Sequence, residues 1–191
     1  MQDNNRLHLA IIIGSTRKGR FAPTVAGWFA GQAERRDDMA VDVIDLAGAQ
    51  LPDVLSDKPG PQVAAVTPRL AAADAFVVVT PEYNHSFPAP LKNAIDWHFK
   101  EWQAKPVGFV SYGGLGGGLR AVEHLRQVFA ELHAVTVRDT VSFHGVWAQF
   151  DSDGRPKDPG VCERAAKSML DQLAWWADAL REARTRRPYE F

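Results

Sequence analysis

Three short segments of this 191-residue chain bring together residue types that bind ligands. The first, Gly14-Ser15-Thr16-Arg17-Lys18-Gly19-Arg20, joins an apolar run to an amphipathic segment whose first turn holds Pro23. A helix N-terminus presents unpaired N–H groups and a partial positive charge. Ser15 and Thr16 add short donors there, Arg17 and Arg20 add cations, and the glycines let backbone approach a ligand. The set suits a terminal phosphate monoester, and the competing reading is a polar turn with a capping serine or threonine. The second segment, Pro81-Glu82-Tyr83-Asn84-His85-Ser86-Phe87-Pro88, is stiffened by Pro81, Pro88 and Pro90. Tyr83 offers a flat amphipathic face and Asn84 both a donor and an acceptor, contacts that a planar heteroaromatic ring needs. A proline-rich turn with an exposed tyrosine is the alternative. The third, Ser111-Tyr112-Gly113-Gly114-Leu115-Gly116-Gly117-Gly118, holds five glycines in eight residues. Such backbone freedom is entropically costly, and it makes sense where N–H groups must reach a ligand that side chains would block, with Tyr112 flanking it. A mobile linker is the other reading.

Other chemistries find little support. The first segment is neither G-x-x-x-x-G-K-[ST] nor G-x-G-x-x-G, so triphosphate hydrolysis and a dinucleotide fingerprint lose their usual signal. The six histidines are scattered, and His85, His98, His124, His133 and His144 lack paired ligand spacing, which favours solvated or structural roles over zinc. No G-x-S-x-G elbow surrounds Ser15, Ser86, Ser111 or Ser142. Cys162 falls near the start of the last helix, where a lowered pKa is conceivable but packing is the better reading.

The elements that must position these segments follow from hydrophobic periodicity. Residues 7–13 are a nearly continuous apolar run that suits a strand buried on both faces of a parallel sheet. Phe21, Val25, Trp28, Phe29 and Ala33 then fall on one helical face. Strands are predicted at 41–46, 75–80, 107–111 and 134–137, the last extending through 141–143. Helices are predicted at 63–73, 90–99 and 119–132. After the turn-formers of 151–160, Ala165, Met169, Leu173, Trp176 and Leu180 mark a long closing helix whose terminal arginines read as a solvated end. Five strands alternating with five helices give a three-layer α/β/α sandwich with right-handed crossovers, whose ligands sit beyond the carboxyl ends of the strands.

Bulk properties agree. The length fits one domain spanning residues 1–191, and 46% hydrophobic with 24% charged residues excludes disordered and fibrous classes. A net charge of -1 gives no electrostatic reason to expect nucleic acid or an anionic membrane as partner. The run at 9–13 is too short for a membrane span, Met1-Gln2-Asp3 carries no basic n-region, and a lone cysteine forms no disulfide framework. The expected location is cytoplasmic.

Taken in order, Gly14-Ser15-Thr16-Arg17-x-Gly19, Pro81-Glu82-Tyr83-Asn84-x-Ser86-x-Pro88-x-x-Leu91-Lys92-Asn93-Ala94-Ile95-Asp96-Trp97 and Ser111-x-Gly113-Gly114 resemble the NADPH-dependent FMN reductase family. These are flavodoxin-like proteins that include quinone, azo-dye and chromate reductases, and the resemblance covers about residues 6 to 180. It implies a five-stranded parallel sheet of order 2-1-3-4-5 with non-covalent FMN at its carboxyl edge. By matching position, Ser15, Thr16, Arg17, Arg20 and Phe21 surround the phosphate. Pro81, Glu82, Tyr83 and Asn84 line the isoalloxazine, and Ser111, Gly113 and Gly114 close its other edge. Many relatives carry serine and asparagine where this chain has Arg20 and Ala22.

The implied activity is transfer of hydride from NADPH or NADH through FMN to a second small-molecule acceptor (free flavin, quinone, azo compound or metal oxyanion) in a ping-pong cycle. No catalytic side chain is assigned; N–H groups near Gly113 and Gly114 are placed to stabilise charge on the reduced ring. Lys18 and Arg120 are the basic residues suited to a 2′-phosphate. The family's habit implies a homodimer or homotetramer, for which Trp97 and Trp102 are the interface candidates. The alternatives are a flavodoxin-type electron carrier, against which near-neutral charge counts, and a flavin-free binding protein on the same scaffold.

Overall fold

In a computed structural model describing residues 6–190, the apolar runs form a parallel sheet. Met1-Gln2-Asp3, on which the leader expectation rests, lies outside the described residues. The strands are β1 (Leu7–Ile13), β2 (Met39–Asp45), β3 (Ala75–Pro81), β4 (Pro106–Gly113) and β5 (Val135–His144), in the order β2-β1-β3-β4-β5. The helices are α1 (Ala22–Glu34), α2 (Leu46–Ala49), α3 (Pro61–Ala72), α4 (Ala89–Asp96), α5 (Leu119–Glu131), α6 (Val146–Gln149) and α7 (Pro159–Arg186). The single-turn α2 and α6 lack the length that periodicity needs and were not expected.

Strand alternation divides the core into two layers. Leu7, Leu9, Ile11 and Ile13 of β1, with Ala75, Val77 and Val79 of β3, face α1 and α7. Ala10, Ile12, Phe76, Val78, Val107 and Phe109 face α3, α4 and α5. The strand order puts β3 at the centre with β1 and β4 on either side, which explains why β1 and β3 read as nearly continuous apolar runs. β5 is an edge strand with polar residues at 138–140, and its register against β4 shifts between Val107 and Phe109, so its two apolar halves form one strand. Arg126 of α5 reaches that edge and donates to Val137 O at 2.8 Å and Arg138 O at 3.0 Å.

Three expectations need correction. Trp102 is core, not interface: it is 1% exposed, packs edge-on to Phe76, and its indole N–H donates to His98 O at 2.8 Å. Trp176 lies off the buried face of α7, which consists of Cys162, Ala166, Met169, Leu170, Leu173 and Ala177. The last arginines are not all solvated. Arg181 and Arg184 lie 3.6 and 3.5 Å from the buried Asp74 carboxylate, which also accepts the His8 N–H at 3.0 Å. They fasten α7 to the amino edge of the sheet. Beside them buried Lys105 donates to Leu70 O and Ala71 O at 3.1 and 2.9 Å, closing the end of α3. Cys162 is a packing residue, its thiol pushed above its usual range by burial.

Candidate functional site

The first loop leaves β1 where Gly14 N–H donates to Val79 O at 2.9 Å, which pins its start to β3. Residues 17–20 close as a turn, with Arg20 N–H on Arg17 O at 3.2 Å and Gly19 at φ +67°. The N–H groups of Thr16, Arg17, Lys18 and Gly19 donate to no acceptor among the described residues. The side chains of Thr16, Arg17 and Lys18 are exposed and likewise hydrogen-bond to none of them. Nothing lies within 4 Å of a Cβ built on Gly19. Helix α1 follows, with Phe21 at its N-cap, a proline in its first turn and no side-chain cap. Consecutive free N–H groups in the loop that leads into a helix, with a free guanidinium beside them, form a cradle for an anion.

Ser15 is turned the other way. It is 0% exposed, and its Oγ lies 2.8 Å from the Tyr83 hydroxyl. The Tyr112 phenol joins them: burial pushes it above the usual tyrosine range, and its hydrogen bond with Ser15 opposes that shift. Arg20 does not stand free. Its Nη1 donates to Ser15 O at 2.9 Å and its Nη2 to Asp45 Oδ2 at 2.5 Å, while Asp45 Oδ1 accepts Ala47 N–H at 3.0 Å and caps α2. Phe21 packs edge-on to Phe150, with ring centroids 5.4 Å apart.

The second loop is a two-residue turn. Tyr83 and Ser86 exchange backbone bonds of 2.8 and 3.0 Å around Asn84 and His85, both left-handed at φ +49° and +73°. Such a turn holds Tyr83 and Asn84 at the carboxyl edge beside the first loop. Glu82, its side chain only 9% exposed, forms an ion pair with Arg120 and accepts the Arg120 N–H at 3.3 Å. Ser86 Oγ bonds His124 Nδ1 at 2.9 Å. The turn is thus tied to α5 at two points.

The third loop is an arch rather than a mobile linker. Gly117 O accepts from both Ser111 Oγ and Ser142 Oγ at 2.8 Å, and Gly114 O accepts Gly145 N–H at 2.9 Å. Gly117 and Gly118 are left-handed at φ +57° and +84°, and a Cβ on Gly118 would lie 2.6 Å from Ser111 Cβ. Gly114 differs: a Cβ there meets nothing within 4 Å, and its N–H donates to no acceptor among the described residues. Two glycines build the arch and a third leaves its outer face open.

The fold therefore brings all the expected segments together, and it reveals partners that local reading missed. Asp45 and Ser142 were not singled out, and Arg120, expected at a 2′-phosphate, is engaged by Glu82. Asp45 had a legible signal, an aspartate directly before Leu46-Ala47-Gly48-Ala49. Beside Thr16 a cavity of about 260 Å³ opens, lined also by Gln50, Asp53 and Asn93. Trp97 donates its indole N–H to Pro52 O at 2.9 Å. Among the described residues no three His, Cys, Asp or Glu side chains group as a metal site, and buried His98 bonds Ala94 O and Thr67 instead. No described helix is long and apolar enough to cross a membrane.

A family model described as NADPH-dependent FMN reductase matches residues 7–148. The chain is 35% identical over 180 residues to a probable NADPH:quinone oxidoreductase 1 of Oryza sativa subsp. japonica, covering 88% of this chain and 91% of that protein. It is 36% identical over 180 residues to a 2-hydroxy-1,4-benzoquinone reductase of a Burkholderia species, covering 89% and 96%. In fold it is similar to FerB, a flavoenzyme NAD(P)H:(acceptor) oxidoreductase from Paracoccus denitrificans, with a TM-score of 0.73 at 23% identity over 91% of this chain and 98% of that one.

Proposed function

The chain belongs to the NADPH-dependent FMN reductase family, and from that premise we propose that its three carboxyl-edge loops hold FMN and present one face of it to a reduced nicotinamide donor and then to a small acceptor. It is an NAD(P)H-dependent oxidoreductase of the FMN-reductase and quinone-reductase type. The observation that carries the placement is the run of four unpartnered N–H groups from Thr16 to Gly19 beside the free Arg17 side chain. That donor set fits a dianionic phosphate.

Thr16, Arg17 and the loop N–H groups would hold the phosphate, with Ser15, Arg20 and Phe21 shaping the loop behind it. Pro81, Glu82, Tyr83 and Asn84 would flank the ring system, and Ser111, Tyr112, Gly113 and Gly114 would close its other edge. FMN held there would supply the redox chemistry between the reduced nicotinamide and the acceptor. The chain's own part is to orient and to stabilise: the unpaired Gly114 N–H offers a donor at the ring edge without requiring a side-chain acid. The fully buried Ser111 and the Tyr83–Ser15 bond would fix the floor on which the ring rests.

One face serving two substrates in turn gives a ping-pong cycle. A quinone is the acceptor class this reading favours, because two relatives that align over nearly the whole chain are named for quinones. The assembly is a homodimer or homotetramer in a cytoplasmic setting. The test is a visible spectrum after loading with FMN and desalting, followed by anaerobic NADPH. A retained flavin band that bleaches, with parallel initial-rate lines when NADPH and a benzoquinone are varied, is the expected result. A retained band that NADPH leaves unchanged makes the chain an electron carrier, and converging lines replace the ping-pong cycle with a ternary complex.

A further inference from the structure

Arg20 stands where the family resemblance puts a phosphate contact, yet its guanidinium is spent inside the protein. It is 16% exposed, and its two terminal nitrogens go to Ser15 O and to Asp45 Oδ2. The Asp45 carboxylate is itself committed, since its second oxygen caps α2. The pair therefore links three elements: the loop after β1, the end of β2 and the first turn of α2. Through Ser15, whose hydroxyl bonds Tyr83, the linkage continues to the turn after β3. Opposite charges at 2.5 Å largely cancel, so Arg20 adds little net positive potential to the cradle.

We propose that Arg20 is a positioning residue rather than a phosphate ligand: with Asp45 it forms a neutral brace that fixes the shape of the phosphate loop, and recognition of the phosphate falls to Arg17, Thr16 and the loop N–H groups. The inference rests on the FMN-binding reading. Its consequence is a division of labour. Arg17 sets how strongly the site prefers FMN over unphosphorylated riboflavin, whereas Arg20 sets how well the loop is formed for either flavin. Arg20 and Arg17 lie three residues apart, but only one has a free guanidinium.

The experiment is a pair of affinity titrations, FMN and riboflavin, monitored by flavin fluorescence at fixed ionic strength. The Arg20→Gln/Asp45→Asn double variant removes both charges together, so no bare carboxylate is left to repel phosphate. The brace predicts that both flavins weaken by a similar factor, roughly tenfold, and that the FMN-to-riboflavin affinity ratio stays within about threefold of the unaltered protein. Arg17→Ala instead lowers FMN affinity roughly tenfold or more and leaves riboflavin unchanged. A double variant that holds riboflavin normally while its ratio collapses makes Arg20 a phosphate ligand and overturns the proposal. If the unaltered protein binds neither flavin, the FMN reading itself fails. The brace is then judged separately by a double-mutant cycle on unfolding: non-additive losses for Arg20→Gln and Asp45→Asn uphold it, and additive ones overturn it.

Discussion

The Ser15 hydroxyl, fully buried in the first loop, lies 2.8 Å from the Tyr83 hydroxyl, 68 residues further along the chain. This bond joins the proposed phosphate end of the site to the turn proposed to flank the ring. Tyr83→Phe leaves a buried hydroxyl short of a partner and costs about 1 kcal/mol of stability, and Ser15→Ala costs a similar amount. The double variant loses less than the sum of the two. Urea unfolding of all four proteins measures the coupling, and strictly additive losses would show that the bond does not form in solution.

Glu82 acts on α5 from outside the helix. Its carboxylate accepts the Arg120 N–H in the first turn and pairs with the Arg120 guanidinium. An anion at a helix N-terminus stabilises it, so Glu82→Ala destabilises the protein by about 1–2 kcal/mol. Amide exchange over residues 114–122 is expected to accelerate more than exchange in β1 or β3. Glu82→Gln, which keeps an acceptor but not the charge, falls between the two.

The glycines of the third loop separate by role. Gly118→Ala places a Cβ 2.6 Å from Ser111 Cβ in a left-handed residue and costs roughly 2–3 kcal/mol or more. Gly114→Ala, facing open space, changes stability by less than about 1 kcal/mol. Gly114→Val keeps the fold while reducing FMN retention after desalting. Full retention in that variant moves the ring away from Gly114.

Lys105 gives the protein a pH signature. Burial, reinforced by the Arg184 cation and opposed by Asp74 and Glu101, lowers its pKa from 10.5 to about 8. The unfolded chain then binds the extra proton between those values, so stability rises with pH through that window and the penalty of the buried charge is gone above 10.5. Lys105→Met removes this slope. Relative to that variant, the unaltered protein gains on the order of 3 kcal/mol between about pH 7.5 and 10.5, measured by urea unfolding. A constant difference would mean that Lys105 titrates alike in both states. Tyr112, held protonated by burial, lowers stability as the unfolded phenol ionises near pH 10, but it does so in both proteins and cancels.

The sheet and the three loops were legible because each rests on local signals. β1 and β3 are apolar runs ending in glycine or proline, and each loop lies between a run and a helical repeat. What stayed hidden depends on residues far apart in sequence. Nothing near Arg20 marks Asp45 as its partner, and Glu82 meets Arg120 only because the crossover returns β4 beside β3. Trp102 reads as an interface candidate because the oligomers that the resemblance implies need an aromatic surface, but the turn there folds its indole back over Phe76. Within the site, residue type predicted Arg17 and Arg20 equally well, and only the partners tell them apart.

The guanidinium of Arg126 has a further consequence at the rim of the sheet. An edge strand offers unpaired carbonyls on which another chain's strand can nucleate, the first step of runaway association. At β5 the carbonyls of Val137 and Arg138 already accept hydrogen bonds from the Arg126 guanidinium. Arg138 is itself a charged side chain, and it stands at the register shift. A strand arriving from a misfolded or neighbouring molecule meets those two carbonyls already engaged and a cation beside them, two of the devices by which an edge strand discourages pairing.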